Sequence, residues 1–283
     1  MSVFPYCSLN LNIVSETEIP ALHSDFGFMY GYGLFETILI QNRQPIFLEE
    51  HISRMQKGTI ILDFTLPYSV QEIRKSINQL IEKNNVESGI LNLYLTPGDR
   101  QENLSSIRFG GHRLLAVVRT LSTDYYSDPL EIAIREESIQ RIKMDSLKTM
   151  ACMKNMLEKK LSKGYDDVIL FDDKKQILET PTTNVFFVKG NCLFAPKSPC
   201  IVPGIVSDFI IKNRGAFGVD CLVQEVFLND ISHFDEIFLT NSIGGVIFVK
   251  TVNEFPELAS RQVSARIKHG YNEMVKKHTE SLC

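Results

Sequence analysis

The chain has 283 residues, too many for one small core, and its 44% apolar and 23% charged residues describe an ordinary globule of two domains. A formal net charge of -4 gives no general attraction to nucleic acid or anionic membrane, and no apolar run approaches the ~20 residues of a membrane span. The N-terminus, Met-Ser-Val-Phe-Pro-Tyr-Cys, has no basic region before an apolar stretch, so a cytoplasmic location is expected. Six cysteines at 7, 152, 192, 200, 221 and 283 form no Cys-x-x-Cys and no zinc spacing, so reduced thiols and no metal are expected.

In chain order, 35–40 reads as a strand, 41–44 as a turn, and 45–48 as the start of a partner strand. The apolar spacing Ile52, Met55, Thr59, Leu62 predicts a helix over 49–62. Ser69 caps a second helix, with Glu72 completing a capping box and Ile73, Ile77, Leu80 and Ile81 on one face. Strands over 90–96 and 114–118 complete an α+β domain spanning 1–120. Residues 121–129, polar and ending in Pro129, form the expected linker to a larger domain over 130–283. There the pattern predicts a strand at 130–135, a helix near 153–164, a strand at 168–171 and a turn at 172–175 leading into 176–178. A hairpin follows, pairing 184–188 with 192–194. Pro203-Gly204 precedes a predicted helix over 205–217; strands near 221–225, 236–239 and 246–249 and a helix over about 257–277 complete the chain. The class is α/β (α+β).

Two residues thirty-one apart carry the chemistry. Lys148, in Ser-Leu-Lys-Thr-Met, has Met144, Leu147, Met150 and Met153 around it; an apolar setting favours the neutral amine that attacks an aldehyde. Glu179, in Leu-Glu-Thr-Pro-Thr-Thr-Asn, is a carboxylate able to hold a pyridine nitrogen protonated, followed by short hydroxyls at 180, 182 and 183. Taken singly, each is most simply a solvated surface group. Phosphate has three candidate holders. They are Arg54, on one helix face with His51; the helix start at Gly204-Ile205-Val206, with its orphan N–H groups; and the strand end Thr240-Asn241-Ser242.

The order of these pieces resembles the class-IV aminotransferases, the fold-type IV enzymes of pyridoxal 5′-phosphate (PLP). These include branched-chain and D-amino-acid aminotransferases and 4-amino-4-deoxychorismate lyases. The matching segments run from about Asp25 to Val249: Tyr30-Gly-Tyr-Gly-Leu-Phe-Glu-Thr37, His51-Ile-Ser-Arg54, Leu147-Lys-Thr149, Glu179 through Asn184-Val-Phe186, Pro203-Gly-Ile205 and Phe238-Leu-Thr-Asn-Ser242. The resemblance implies that Lys148 is catalytic and holds PLP as a Schiff base. It also implies that Glu179 binds the pyridine nitrogen, and that Arg54, the amides of Ile205 and Val206, Thr240 and Asn241 bind phosphate. Phe35, Thr96 and Thr182 would line the substrate pocket. Two domains with the cofactor in the cleft between them, and a homodimer, are implied likewise.

The chain also departs from that pattern. Tyr32 stands where the family has Asp, Cys152 and Met153 where many members have Tyr or Arg, and Pro181 where a small residue is usual. The Tyr-x-Arg of branched-chain enzymes is replaced by Ile90-Leu91-Asn92, and the Thr-Arg-Gly of D-amino-acid enzymes by Thr96-Pro97-Gly98. A missing arginine removes a bidentate carboxylate clamp, for which Arg100, Arg108 or a partner-chain loop could compensate. The expected function is transfer of the amino group of a small amino acid to a 2-oxo acid. The alternatives are a lyase releasing pyruvate and 4-aminobenzoate from aminodeoxychorismate, and a non-catalytic PLP-binding relative.

Overall fold

The computed structural model describes residues 2–101, 109–122, 126, 128–253, 258 and 260–280. The chain divides into two compact units. One is Met1–Thr123 with Leu147–Cys152 and Ser281–Cys283; the other is Asp124–Ser146 with Met153–Glu280. The segment carrying Lys148 thus belongs to the first unit, whereas the sequence division at 121–129 groups it with the C-terminal residues.

The first unit contains β1 (Val3–Leu9), β2 (Asn12–Ser15), α1 (Phe26–Tyr30), β3 (Leu34–Gln41), β4 (Gln44–Pro45), α2 (Leu48–Ile61), α3 (Val70–Lys83), β5 (Gly89–Thr96) and β6 (Arg113–Arg119). Its sheet, in the order β2-β1-β6-β5-β3-β4, is antiparallel throughout. Ser69 and Glu72 form the expected capping box, and α3 buries Ile73, Ile77, Leu80 and Ile81. Each of these side chains contributes about 1.5–3 kcal/mol on burial. They pack with Ile52 and Met55 of α2 against Leu91, Leu93 and Leu95 of β5 and Leu114, Ala116 and Val118 of β6. The helices therefore cover one face of the sheet. The opposite face carries the other residues of each strand, because side chains alternate with period two.

The second unit contains β7 (Leu130–Ile134), α4 (Met153–Leu161), β8 (Asp167–Ile169), β9 (Asn184–Lys189), β10 (Cys192–Pro196), α5 (Ile205–Lys212), β11 (Asp220–Gln224), β12 (Glu236–Asn241), β13 (Gly245–Val252) and α6 (Gln262–Glu280). Its sheet runs β11-β10-β9-β12-β13-β7-β8 with mixed pairing. Glu236 starts α6 by accepting from the amides of Val263 and Ser264 at 2.9 and 2.8 Å, a carboxylate at the positive end of a helix.

Three elements differ from the sequence reading. The hairpin of β1 and β2 turns through Asn10 and Leu11, both at positive φ, without the glycine that would announce it. Helix α5 stops at Lys212 rather than 217, and Gly218 lies at φ +64° in the turn beyond. Helix α4 buries none of its residues. Among the described residues no helix is long and apolar enough to cross a membrane.

Candidate functional site

In the first unit the site begins with the alternation of β3. Leu34, Glu36, Ile38 and Ile40 all point to the helix-covered face, so a carboxylate sits among aliphatic side chains. Two residues of α2, three apart and on one helix face, compensate it. Arg54 donates Nε to Oε1 at 2.8 Å and Nη2 to Oε2 at 2.5 Å, and His51 donates Nδ1–H to Oε2 at 2.6 Å. Burial pushes the Glu36 carboxyl up, but the charge and hydrogen bonds of Arg54 and the bond from His51 outweigh it and hold the pKa at about 2. His51 moves the other way. Burial lowers its pKa, the Glu36 contact opposes that, and the Arg54 and Lys148 charges lower it further, leaving a neutral imidazole.

Phe35 points to the opposite face, where it stacks on Tyr94, directly across on β5, with ring centres 6.5 Å apart. The Lys148 Nζ lies 4.4 Å from the Phe35 ring centre, within cation–π range. The lysine is carried there by backbone pairing. Phe35 N donates to Lys148 O at 3.0 Å, Met150 N donates to Gly33 O at 2.9 Å, and Thr149 bridges Leu34. The methionine setting expected of Lys148 is thus only partly present: Met144 is 42% and Met153 78% exposed. The aromatic ring of Phe35 is the apolar surface at the amine. Thr96 is buried and donates to Asp25 Oδ2 at 2.8 Å. Asp25 also caps α1 through Gly27 N and accepts from Arg113. Tyr32 donates its hydroxyl to Leu62 O at 2.5 Å and packs among Phe26, Phe64 and Phe109. Arg100 Nη1 contacts the Tyr30 hydroxyl at 3.2 Å, and Arg108 lies outside the described residues.

In the second unit Glu179 is buried, and its carboxylate accepts from donors on three surrounding residues, among others. Arg141 Nη1 reaches Oε1 at 2.6 Å; Asn184 Nδ2 and Val202 N each reach Oε2 at 3.3 Å. Arg141 is equally buried, and its Nη2 bonds Asn155 Oδ1 at 3.1 Å. Asn184 lies at the centre of this region. Its Cα pairs with Thr240 across β9 and β12, its amide also bonds Val202 O, and its Oδ1 lies 1.8 Å from where a Cβ on Gly204 would stand. Only glycine fits there, directly before α5. That helix has no side-chain cap, so the amides of Ile205 and Val206 present the positive end of its dipole. Thr240 is buried with its Oγ1 unpartnered, an unmet donor of the kind that awaits a ligand.

Two other expected residues are engaged in structure. Thr182 Oγ1 donates to the buried Asp167 at 3.3 Å, beside Thr180. Asn241 bonds Tyr126 through Nδ2, and its Oδ1 accepts from the amides of Ile243 and Gly244. The sequence reading did not find Arg141, Asn155 or Tyr94, and gave Asn184 no role. Arg141 has no local frame to mark it, since its partner lies 38 positions on.

The first unit thus presents the Lys148 amine beside an aromatic ring. The second presents a buried acid, a helix-end amide pair and an orphan hydroxyl. These are the groups that amine chemistry on an anionic aromatic cofactor requires. The chain belongs to the class IV amino-transferase family, whose model matches residues 33–252. A Rickettsia bellii protein called a probable branched-chain-amino-acid aminotransferase is 29% identical over 241 residues, covering 83% of this chain and 82% of the relative. The aminodeoxychorismate lyase of Bacillus subtilis is 26% identical over 239 residues, covering 81% and 80%. The branched-chain amino acid aminotransferase of T.th., solved in complex with N-(5′-phosphopyridoxyl)-L-glutamate, superposes with a TM-score of 0.88 at 18% identity, covering 97% and 95%. The fold is thus fold-type IV, and the protein is an enzyme of the PLP-dependent aminotransferase or lyase type.

Proposed function

We propose that this protein is an aminotransferase moving the amino group of a small amino acid to a 2-oxo acid, with PLP held by its own residues. The observation that carries the reading is the Lys148 amine held over Phe35 by backbone pairing to β3. The second unit suits the cofactor's other parts. The orphan Thr240 hydroxyl, the glycine-only approach at Gly204 and the amides of Ile205 and Val206, which no side chain caps, fit an anionic phosphate. Arg54 offers a further cation, and Glu179 fits a protonated pyridine nitrogen.

When bound, PLP supplies an electron sink at the substrate Cα and carries the amino group. The residues provide the rest. Lys148 Nζ would hold the cofactor, and its amine would take up and return the proton at the substrate Cα. Glu179 would favour a proton on the pyridine nitrogen, and its carboxylate is oriented by Arg141, Asn184 and Val202 N. Phe35 sets an aromatic face beside the amine.

Elimination of pyruvate from aminodeoxychorismate is the second reading, favoured by the run Thr240-Asn-Ser-Ile-Gly-Gly245 and the Bacillus subtilis relative. A homodimer working in the cytoplasm belongs to the same proposal, and sedimentation of the purified protein tests the dimer. The deciding experiment is spectroscopic. Purified protein should show the visible absorbance of lysine-bound PLP, and Lys148→Ala should lack both that band and turnover. An aminotransferase converts stably to the pyridoxamine form on adding amino donor alone; a lyase returns to its starting spectrum with release of pyruvate. Absence of the band from the native protein, or full activity in Lys148→Ala, overturns the reading.

A further inference from the structure

Helix α4 is built inside out. Met153, Met156, Leu157 and Leu161 are exposed, and none of its nine residues is buried. It therefore lacks the packed apolar face from which a helix usually draws its stability. Asn155, Glu158 and Lys159, spaced three and four apart, share the other side. Each meets a polar group of the second unit. Glu158 Oε2 accepts from Arg135 Nε at 2.7 Å, and Lys159 Nζ lies 3.5 Å from Oδ2 of the buried Asp167. Asn155 Nδ2 donates to Pro181 O at 3.0 Å, and its Oδ1 accepts from Arg141 Nη2 at 3.1 Å.

Two of these three contacts converge on residues 179–182. Asp167, beside Lys159, accepts from the hydroxyls of Thr180 and Thr182. Asn155 reaches the same stretch directly at Pro181 and, by way of Arg141, at Glu179. Its amide has one workable orientation, because a guanidinium only donates and a carbonyl only accepts. A neutral acceptor suits this place. It aims the Arg141 fork without a charge that would compete with Glu179, and Nη1 stays on Glu179 Oε1 at 2.6 Å. Arg141 and Glu179 are both buried, so their pairing is little screened by water.

We propose that Asn155 is a positioning residue for the reaction, acting through Arg141 to set the Glu179 carboxylate against the ring nitrogen of the cofactor. The inference deepens the proposed function and rests on it, since Glu179 has a ring nitrogen to hold only if PLP is bound. It also accounts for the inverted face of α4: the polar side is turned inward because it carries the groups that orient residues 179–182.

The test uses the purified holoenzyme loaded with PLP carrying nitrogen-15 in its ring, whose resonance reports whether that nitrogen is protonated. Asn155→Ala should lower kcat roughly 10- to 100-fold with KM for the amino donor unchanged, the effect of moving a reacting group by ~1 Å. Its nitrogen-15 line should move from the protonated towards the unprotonated position. Asn155→Asp keeps an acceptor on Arg141 and should retain the native line. Arg141→Lys keeps the charge but cannot grip both partners as a fork. Adding Asn155→Ala to Arg141→Lys should cost little more, because the two residues act along one path. A lower melting temperature with kcat and the nitrogen-15 line unchanged in Asn155→Ala shows a structural contact only and overturns the proposal. Full additivity with Arg141→Lys, or an Asn155→Asp line displaced as far as that of Asn155→Ala, overturns it too. If Asn155→Ala does not fold, Asn155→Ser takes its place with the same expected outcomes. Missing cofactor absorbance in the native protein instead refutes the proposed function, so the two failures are distinguishable.

Discussion

Replacing Glu36 by glutamine removes the charge that Arg54 and His51 share and keeps the shape of the side chain. The carboxyl is 1% exposed, and its pKa is held at about 2 against an ordinary 4.5. That displacement corresponds to about 3 kcal/mol of stability present when the group is ionised in both states. Because the folded pKa is depressed, the contribution is complete above the unfolded value of 4.5 and is lost as pH falls through about 2. Glu36→Gln should therefore cost about 3 kcal/mol at pH 7 and about 1.5 kcal/mol at pH 3. Urea unfolding of both proteins at the two pH values, followed by far-UV circular dichroism, gives both differences. A cost that is the same at pH 3 and pH 7, or no cost at pH 7, would refute the claim that Glu36 works as a paired anion.

Arg141→Met should leave the Glu179 carboxylate buried without its charged partner and destabilise by about 3–5 kcal/mol, read by chemical denaturation. Gly204→Ala drives a Cβ into Asn184 and should lower the melting temperature; Asn184→Ala in the same protein removes the opposing atom and should recover part of the loss. Thr240→Val removes an unpartnered hydroxyl, so stability should hold within about 1 kcal/mol while retention of PLP on dialysis weakens roughly tenfold.

How much of this was legible in the sequence depended on range. The capping box of Ser69 and Glu72 was readable because both partners lie within one turn. The pairing of His51 with Arg54 was readable as a shared helix face, but not what that face meets, since Glu36 sits in a strand whose alternation looks apolar. The exposure of α4 was hidden for the converse reason: Met153, Met156, Leu157 and Leu161 have core-like spacing yet face outward. Arg141 and Glu179 meet across 38 residues. Local rules found the elements and the order of the chemical groups. The partners that fix those groups are set by tertiary contacts that no short window contains.

The backbone pairing of residues 147–152 with the start of β3 bears on how such a chain could be recombined. A crossover placed after residue 123 would exchange Phe35, Glu36 and Arg54 but leave Lys148 behind, because the short lysine segment is encoded between two stretches of the second unit. A chimera made there must rebuild the contacts of Phe35 N with Lys148 O and Met150 N with Gly33 O across foreign partners. Compatibility between parents would then hinge on six residues in the middle of the chain rather than on the break between its two sheets.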